Sequence, residues 1–250
     1  MRFERRHHQL IASVLDNLDA DLLAQNQCYF AGGTVLALLH HEYRESNDID
    51  FMVSETEGYR NLRNLLTGKD GFEVLAKLGG NIRQAGEVRA DQYGIRGKIE
   101  VDGIPIKMEI VREARIKFDS PGDQDKICGI TTLCELDLAA EKLLANSDRW
   151  LDAAIFSRDV IDLAMMGASR PLMKGAMEKA EVAYGAAVKK DLEKAIDRVL
   201  NKEGWLERCM QAMAVSVPKA DILQRVLKLG RQAGVVAGKG VRSCIPANIC

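Results

Sequence analysis

The chain has almost no net charge: 35 lysines and arginines stand against 36 aspartates and glutamates, giving −1 over 250 residues. That balance excludes a global field drawing the whole molecule onto nucleic acid or an anionic membrane, and leaves only local charged faces. Zinc-type cysteine patterns are missing too. Cys28, Cys128, Cys134, Cys209, Cys244 and Cys250 form no CxxC pair and have no histidines at zinc-finger spacing. They read as buried or free thiols in a reducing compartment. No run of about 18 apolar residues occurs, so no membrane-spanning helix and no membrane partner are expected. Residues 2–8 are charged and no long apolar region follows, which does not read as a secretory signal; a cytoplasmic protein is expected. Arg2, Arg5 and Arg6 read as a solvated basic end. There is no internal repeat and no low-complexity tract.

What is present is a 47% hydrophobic chain, enough for one large domain or two modest ones. Apolar spacing predicts a helix over 10–23, a short buried strand over 28–31, a helix over 34–41, a strand over 49–53, a helix over 59–66 and a strand over 72–78. A hairpin follows, with runs 95–101 and 104–111 joined by Asp102-Gly103, a pair favoured in type I′ turns. Its second strand sends Ile106, Met108 and Ile110 to one face and Lys107, Glu109 and Val111 to the other. Residues 117–130 have turn composition and read as a linker. Beyond them everything reads as helix. Thr132 and Glu135 form a capping-box pattern before a helix over 136–145. Further helices are expected near 149–166, 171–189, 191–201, 203–214 and 219–231, with Pro171 and Pro218 in first turns. The tail from Gly234 is glycine-rich and poorly patterned. The fold class expected is α+β, with a domain over 1–125 and a helical domain over 126–250.

The chemistry concentrates in Gly32-Gly33-Thr34, an apolar helix, and then Arg44-Glu45-Ser46-Asn47-Asp48-Ile49-Asp50-Phe51. Paired glycines before a helix let backbone N–H groups approach a phosphate. Asp48 and Asp50 alternate onto one face of a strand and can share divalent metal. Glu109 is a third carboxylate on a nearby strand. Two magnesium ions held by three carboxylates are what nucleotidyl transfer requires to neutralise the attacking and leaving oxygens. Glu109 would ligate metal or act as base on an acceptor hydroxyl. Arg44 and Ser46 lie close enough in sequence to touch nucleotide. His40 and His41 end a helix and suit its negative C-terminus rather than a shared metal.

The same residues carry a resemblance. Gly-Gly-Thr, an apolar helix and Asp-Ile-Asp-Phe resemble the DNA polymerase β-like nucleotidyltransferase superfamily, and most closely the AbiEii/AbiGii toxin family. Glu141-Lys142-Leu143-Leu144-Ala145 and Ser157-Arg158-Asp159-Val160-Ile161-Asp162-Leu163 are similar to that family's helical Glu-Lys and Arg-Asp-x-x-Asp-Leu segments. The resemblance spans residues 28–166. It implies a polymerase β-like domain with a small mixed sheet flanked by helices, followed by an all-α domain. It further implies that Gly32, Gly33 and Thr34 bind phosphate, that Asp48 and Asp50 bind Mg2+, and that Lys142 contacts the triphosphate with Asp159 nearby. The implied activity is pyrophosphate-releasing transfer of NMP from an NTP to an acceptor, RNA such as tRNA, by the toxin of a toxin–antitoxin or phage-defence module with a cognate antitoxin. The superfamily turn is usually Gly-Ser, and its third carboxylate is commonly Asp; here they are Gly-Gly-Thr and Glu109. Two other classes of function fit the residues: a nucleotide-binding sensor or partner-binding module without turnover, and a nucleotidyltransferase acting on a small, antibiotic-type acceptor.

Overall fold

The computed structural model describes residues 3–235. Most of the tail read as poorly patterned, with Arg2, Cys244 and Cys250, lies outside them. The chain divides into two compact units, Met1–Leu138 and Ala139–Cys250. The division falls within a helix (Glu135–Arg149) rather than in the segment read as a linker. That segment contains a two-stranded hairpin, Lys126–Ile127 with Ile130–Thr131, and the adjoining Leu133 N–H donates to Phe30 O. It is therefore part of the first unit.

In unit 1, α1 (Arg6–Asn17) and α2 (Ala20–Gln25) replace the single helix expected over 10–23. The break occurs because Leu18 is extended and the Asp19 side chain caps α2 by accepting from Leu22 N–H at 2.9 Å. Next come β1 (Tyr29–Ala31), α3 (Gly32–Leu39), β2 (Asp48–Val53) and α4 (Thr56–Leu66). The strand expected over 72–78 is instead a 3-10 turn, Gly71–Leu75. Phe72 and Leu75, three apart, are both fully buried while Leu78 is exposed, a period of three rather than two. Short strands β3 (Arg83–Gln84) and β4 (Arg89–Ala90) precede the hairpin of β5 (Gly94–Val101) and β6 (Ile104–Arg112). Asp102 and Gly103 have φ of 51° and 75°, the left-handed pair that a type I′ turn needs. The small strands β7 (Lys126–Ile127) and β8 (Ile130–Thr131) close the unit's β structure.

The main sheet is mixed, in the order β1-β2-β6-β5-β3, with β4 also on β5. Among the described strands of this sheet, β2 and β6 run parallel and the other strand pairs antiparallel. Ile49, Phe51 and Val53 of β2 and Ile106, Met108 and Ile110 of β6 are buried together, and the Phe30 and Phe51 rings lie 5.6 Å apart. Their alternation turns Asp48, Asp50, Lys107 and Glu109 onto the opposite face.

Among its described residues, unit 2 holds helices alone. α5 (Glu135–Arg149) enters it, followed by α6 (Arg158–Met166), α7 (Arg170–Tyr184), α8 (Ala187–Asn201), α9 (Trp205–Ala212) and α10 (Lys219–Gln232). α10 packs against α6, α7, α8 and α9. The helix expected over 149–166 is interrupted because Phe156 and Ser157 are both left-handed, at φ 53° and 49°. α7 stops at Gly185 (φ 57°), short of the expected end. Pro171 sits in the first turn of α7, and Pro218 at the N-cap of α10. No capping box forms at Thr132: its hydroxyl donates to Leu133 O, and α5 starts at Glu135. The α+β architecture is as expected, with a small mixed sheet and helices first and helices alone afterwards.

Candidate nucleotidyl-transfer site

Strand β2 places the two aspartates. Asp48 and Asp50 are half-buried on one face, and the parallel register with β6 sets Asp50 beside Glu109 and Asp48 beside Lys107. On the other side, antiparallel β1 sets Ala31 beside Asp50. The chain turns directly from Ala31 into α3, so Gly32 arrives above the Asp50 carboxylate. Gly32 holds φ at +77°, and a side chain on it would collide with Asp50. Both facts require glycine here.

Thr34 is 1% exposed. Its hydroxyl donates to Asp48 O at 2.6 Å and lies 2.8 Å from Ser46 Oγ. Thr34 and Ser46 therefore fix the start of β2. Arg44 is also 1% exposed, donates to Glu45 O at 2.8 Å and lies 5.8 Å from the Tyr43 ring centre. It belongs to the packing of the loop leading into β2.

That loop is latched by the first turn of α1, a relationship the sequence reading missed. His8 is fully buried. The Ser46 N–H donates to its Nε2 at 3.2 Å, so Nδ1 carries the proton and donates to Glu42 Oε1 at 2.7 Å. Glu42 also accepts from the Glu4 and Arg5 N–H groups. The Arg5 guanidinium donates to Glu42 O and pairs with Glu45 at 2.8 Å. Arg5 is thus engaged rather than part of a solvated end. Burial lowers the His8 pKa, and the Glu42 carboxylate only partly offsets it. One signal was available: His8 shares a helix face with Ile11 and Leu15, both buried.

Two cations also line the carboxylate face. Lys107 Nζ lies 2.9 Å from Glu109 Oε2, and Arg96 Nε lies 3.3 Å from Glu109 Oε1. Burial pulls the Lys107 pKa down, but Glu109, Asp48 and Asp50 together hold it above its ordinary value. The donor set fits a divalent cation: three hard carboxylates share one face, and that face already collects ammonium and guanidinium groups. Asp48, Asp50 and Glu109 would hold Mg2+.

Among the described residues, the acidic and thiol groups whose donor atoms all lie within 4.8 Å of one another are Asp119, Cys134 and Asp137, not the three carboxylates of the sheet. Asp137 Oδ2 accepts from Asp119 N–H at 2.7 Å and from the Cys134 thiol at 3.4 Å. Burial pushes the Cys134 thiol up to about 11, so it stays protonated. This cluster reads as the turn that leads into α5. The described cysteines are free, as expected.

Lys142 and Asp159 meet within unit 2. Lys142 is 5% exposed, and its Nζ lies 3.0 Å from Asp159 and 2.7 Å from Asp162. Arg149 completes the cluster with two bonds to Asp159, at 2.7 and 2.9 Å. Burial pushes the Asp159 carboxyl up, but Lys142 and Arg149 outweigh it and hold it below the usual range. A cavity of about 650 Å³ in the same unit is lined by Trp150, Leu151, Lys194, Arg198 and their neighbours. No residue singled out in the sequence lines it.

No curated protein matches the chain. Two solved structures align along most of it: JHP933 from Helicobacter pylori, at 15% identity and TM-score 0.49, covering 93% of this chain and 92% of that one; and a candidate nucleotidyltransferase from H. pylori, at 16% and 0.48, covering 91% and 92%. The family described as "Nucleotidyl transferase AbiEii toxin, Type IV TA system" matches residues 14–226. That match takes in the glycine turn, both aspartates, Glu109 and the Lys142–Asp159 cluster, and by it the chain belongs to the AbiEii family of nucleotidyltransferase toxins.

Proposed function

We propose that the protein is a magnesium-dependent nucleotidyltransferase that transfers NMP from an NTP to an RNA acceptor such as tRNA. It would act as the toxin of a two-gene module with its own antitoxin. The observation carrying this reading is the register: Ala31, Asp50 and Glu109 stand side by side across β1, β2 and β6, with Gly32 directly above Asp50. The glycine turn and the carboxylates thus share one patch, which supports phosphate and metal binding there.

In this reading the N–H groups of Gly32 and Gly33, at the start of α3, grip the polyphosphate. Thr34 and Ser46 act as positioning residues, fixing the strand that carries Asp48 and Asp50. Asp48, Asp50 and Glu109 would hold Mg2+, which would supply charge neutralisation at the transferred phosphate. The acceptor hydroxyl oxygen bonds to the α-phosphorus, the bond to the bridging oxygen breaks, and pyrophosphate departs. Glu109 serves as metal ligand or takes the hydroxyl proton.

The test is incubation of the purified protein with each α-labelled NTP and total RNA. A discrete labelled RNA band with stoichiometric pyrophosphate is expected for at least one NTP. Nucleotide binding with no pyrophosphate released on any RNA or small-molecule acceptor would instead identify a sensor without turnover.

A further inference from the structure

We infer that Lys107 is an exchangeable counter-ion of the carboxylate face: its ammonium holds Glu109 while no divalent ion is there and yields it when one binds, so that Lys107 sets the metal affinity. This rests on the reading of Asp48, Asp50 and Glu109 as the metal site.

The two oxygens of Glu109 are divided between two different cations. Oε1 faces Arg96 at 3.3 Å and Oε2 faces Lys107 at 2.9 Å. Arg96 is fixed from a second direction. Its Nη1 pairs with Asp91 at 3.1 Å, and Asp91 in turn accepts from the Tyr93 and Gly94 N–H groups. A planar guanidinium bonded to two acids has little freedom to leave. Lys107 has no such second tether. Its ion pair among the described residues is with Glu109 alone, its side chain is 48% exposed, and its stem is flexible. Exposed lysine pairs of this kind contribute little and are readily exchanged.

Lys107 stands in register with Asp48, and Asp50 stands in register with Glu109, so the ammonium belongs to the same four-residue patch as all three carboxylates. A divalent ion on that patch would attract the carboxylates more strongly than a single positive charge does, and would repel the ammonium. Glu109 Oε2 is therefore the ligand atom made available by exchange, while Arg96 keeps the carboxylate oriented through Oε1.

Mn2+ binding to the nucleotide-free protein, followed by the electron paramagnetic resonance signal of free Mn2+, tests this directly. Lys107→Met should tighten Mn2+ by roughly 2- to 5-fold, the range set by loss of one exposed ion pair. Lys107→Arg, which keeps the charge, should change it less than about twofold on the same scale. Lys98→Met is the control for bulk charge, because Lys98 is an exposed cation in register with Lys107 across β5–β6. It too should leave Mn2+ binding nearly unchanged. Unaltered or weaker binding in Lys107→Met, or equal tightening in Lys98→Met, overturns the counter-ion role. Asp50→Asn separates the two levels. If it abolishes Mn2+ binding while Lys107→Met does nothing, the metal site stands and the lysine's role falls. If Asp50→Asn keeps full Mn2+ affinity, the metal site itself is wrong and the counter-ion role goes with it. Thermal melts of each variant confirm that the fold is intact.

Discussion

A Cβ atom on Gly32 would lie 2.7 Å from Oδ2 of Asp50. The glycine turn and the strand that carries Asp48 and Asp50 are thus in contact, and the absent side chain is what lets them meet.

Gly32→Ala should therefore injure the site more than the fold. The left-handed φ of +77° costs a non-glycine residue roughly 1–2 kcal/mol, and the methyl group must also push the Asp50 carboxylate aside. We expect a modest fall in melting temperature and a loss of pyrophosphate release of at least about a hundredfold, the equivalent of a few kcal/mol of lost charge stabilisation. Near-normal turnover would show that Asp50 is not held where the reaction needs it.

The His8 latch predicts a pH dependence of stability. Burial keeps the folded His8 pKa below its ordinary value of 6.5. Below pH 6.5 the unfolded chain takes up a proton that the folded chain resists, so stability present above that pH is lost as pH falls towards the folded pKa. Glu42 and Glu45 favour the charged ring, and Arg5 opposes it. Glu42 is itself held below its ordinary value and adds acid sensitivity below about pH 4.5 in the same direction. Melting temperature should drop between pH 7 and 5. His8→Gln, whose amide oxygen can still accept from Ser46, should flatten that drop while retaining transfer activity. An equal drop in the variant would place the acid-sensitive group elsewhere.

Lys142→Met should act chiefly on unit 2. It removes the ammonium lying between Asp159 and Asp162, which are 2% and 0% exposed. Breaking a buried ion cluster by deleting one partner costs about 3–5 kcal/mol. Urea unfolding should show that loss. Wild-type stability together with lost activity would make Lys142 a substrate-facing group instead of an internal strut.

The readable parts of this protein were the local ones. The glycine pair, the period-two alternation of Asp48 to Val53 and of Ile106 to Val111, and the Asp102-Gly103 turn each depend on neighbours a few residues away. They placed the carboxylate face on the sheet. The His8–Ser46 bond spans 38 residues, and nothing local announces it beyond a histidine on an apolar face. Arg96 and Lys107 gained meaning only once the register paired β5 with β6 and β6 with β2. Arg44 and Thr34 stood in the motif as nucleotide contacts, yet burial commits one to the loop and the other to Asp48 O. Phe72 and Leu75 carry the apolar content of a strand, and only their three-residue spacing betrays the 3-10 turn.

Whether Asp50 serves nucleotidyl transfer is decided by single-turnover pyrophosphate release by Asp50→Asn beside the wild type, at saturating Mg2+, NTP and RNA, with both folds verified by thermal melting. Asp50 is half-buried on the face of the strand opposite its core residues, which the substitution leaves untouched, so the fold should survive. The expected rate is lower by about a thousandfold or more, since several kcal/mol of charge stabilisation disappear with the ligand. A folded Asp50→Asn protein that releases pyrophosphate at the wild-type rate would contradict that role for Asp50.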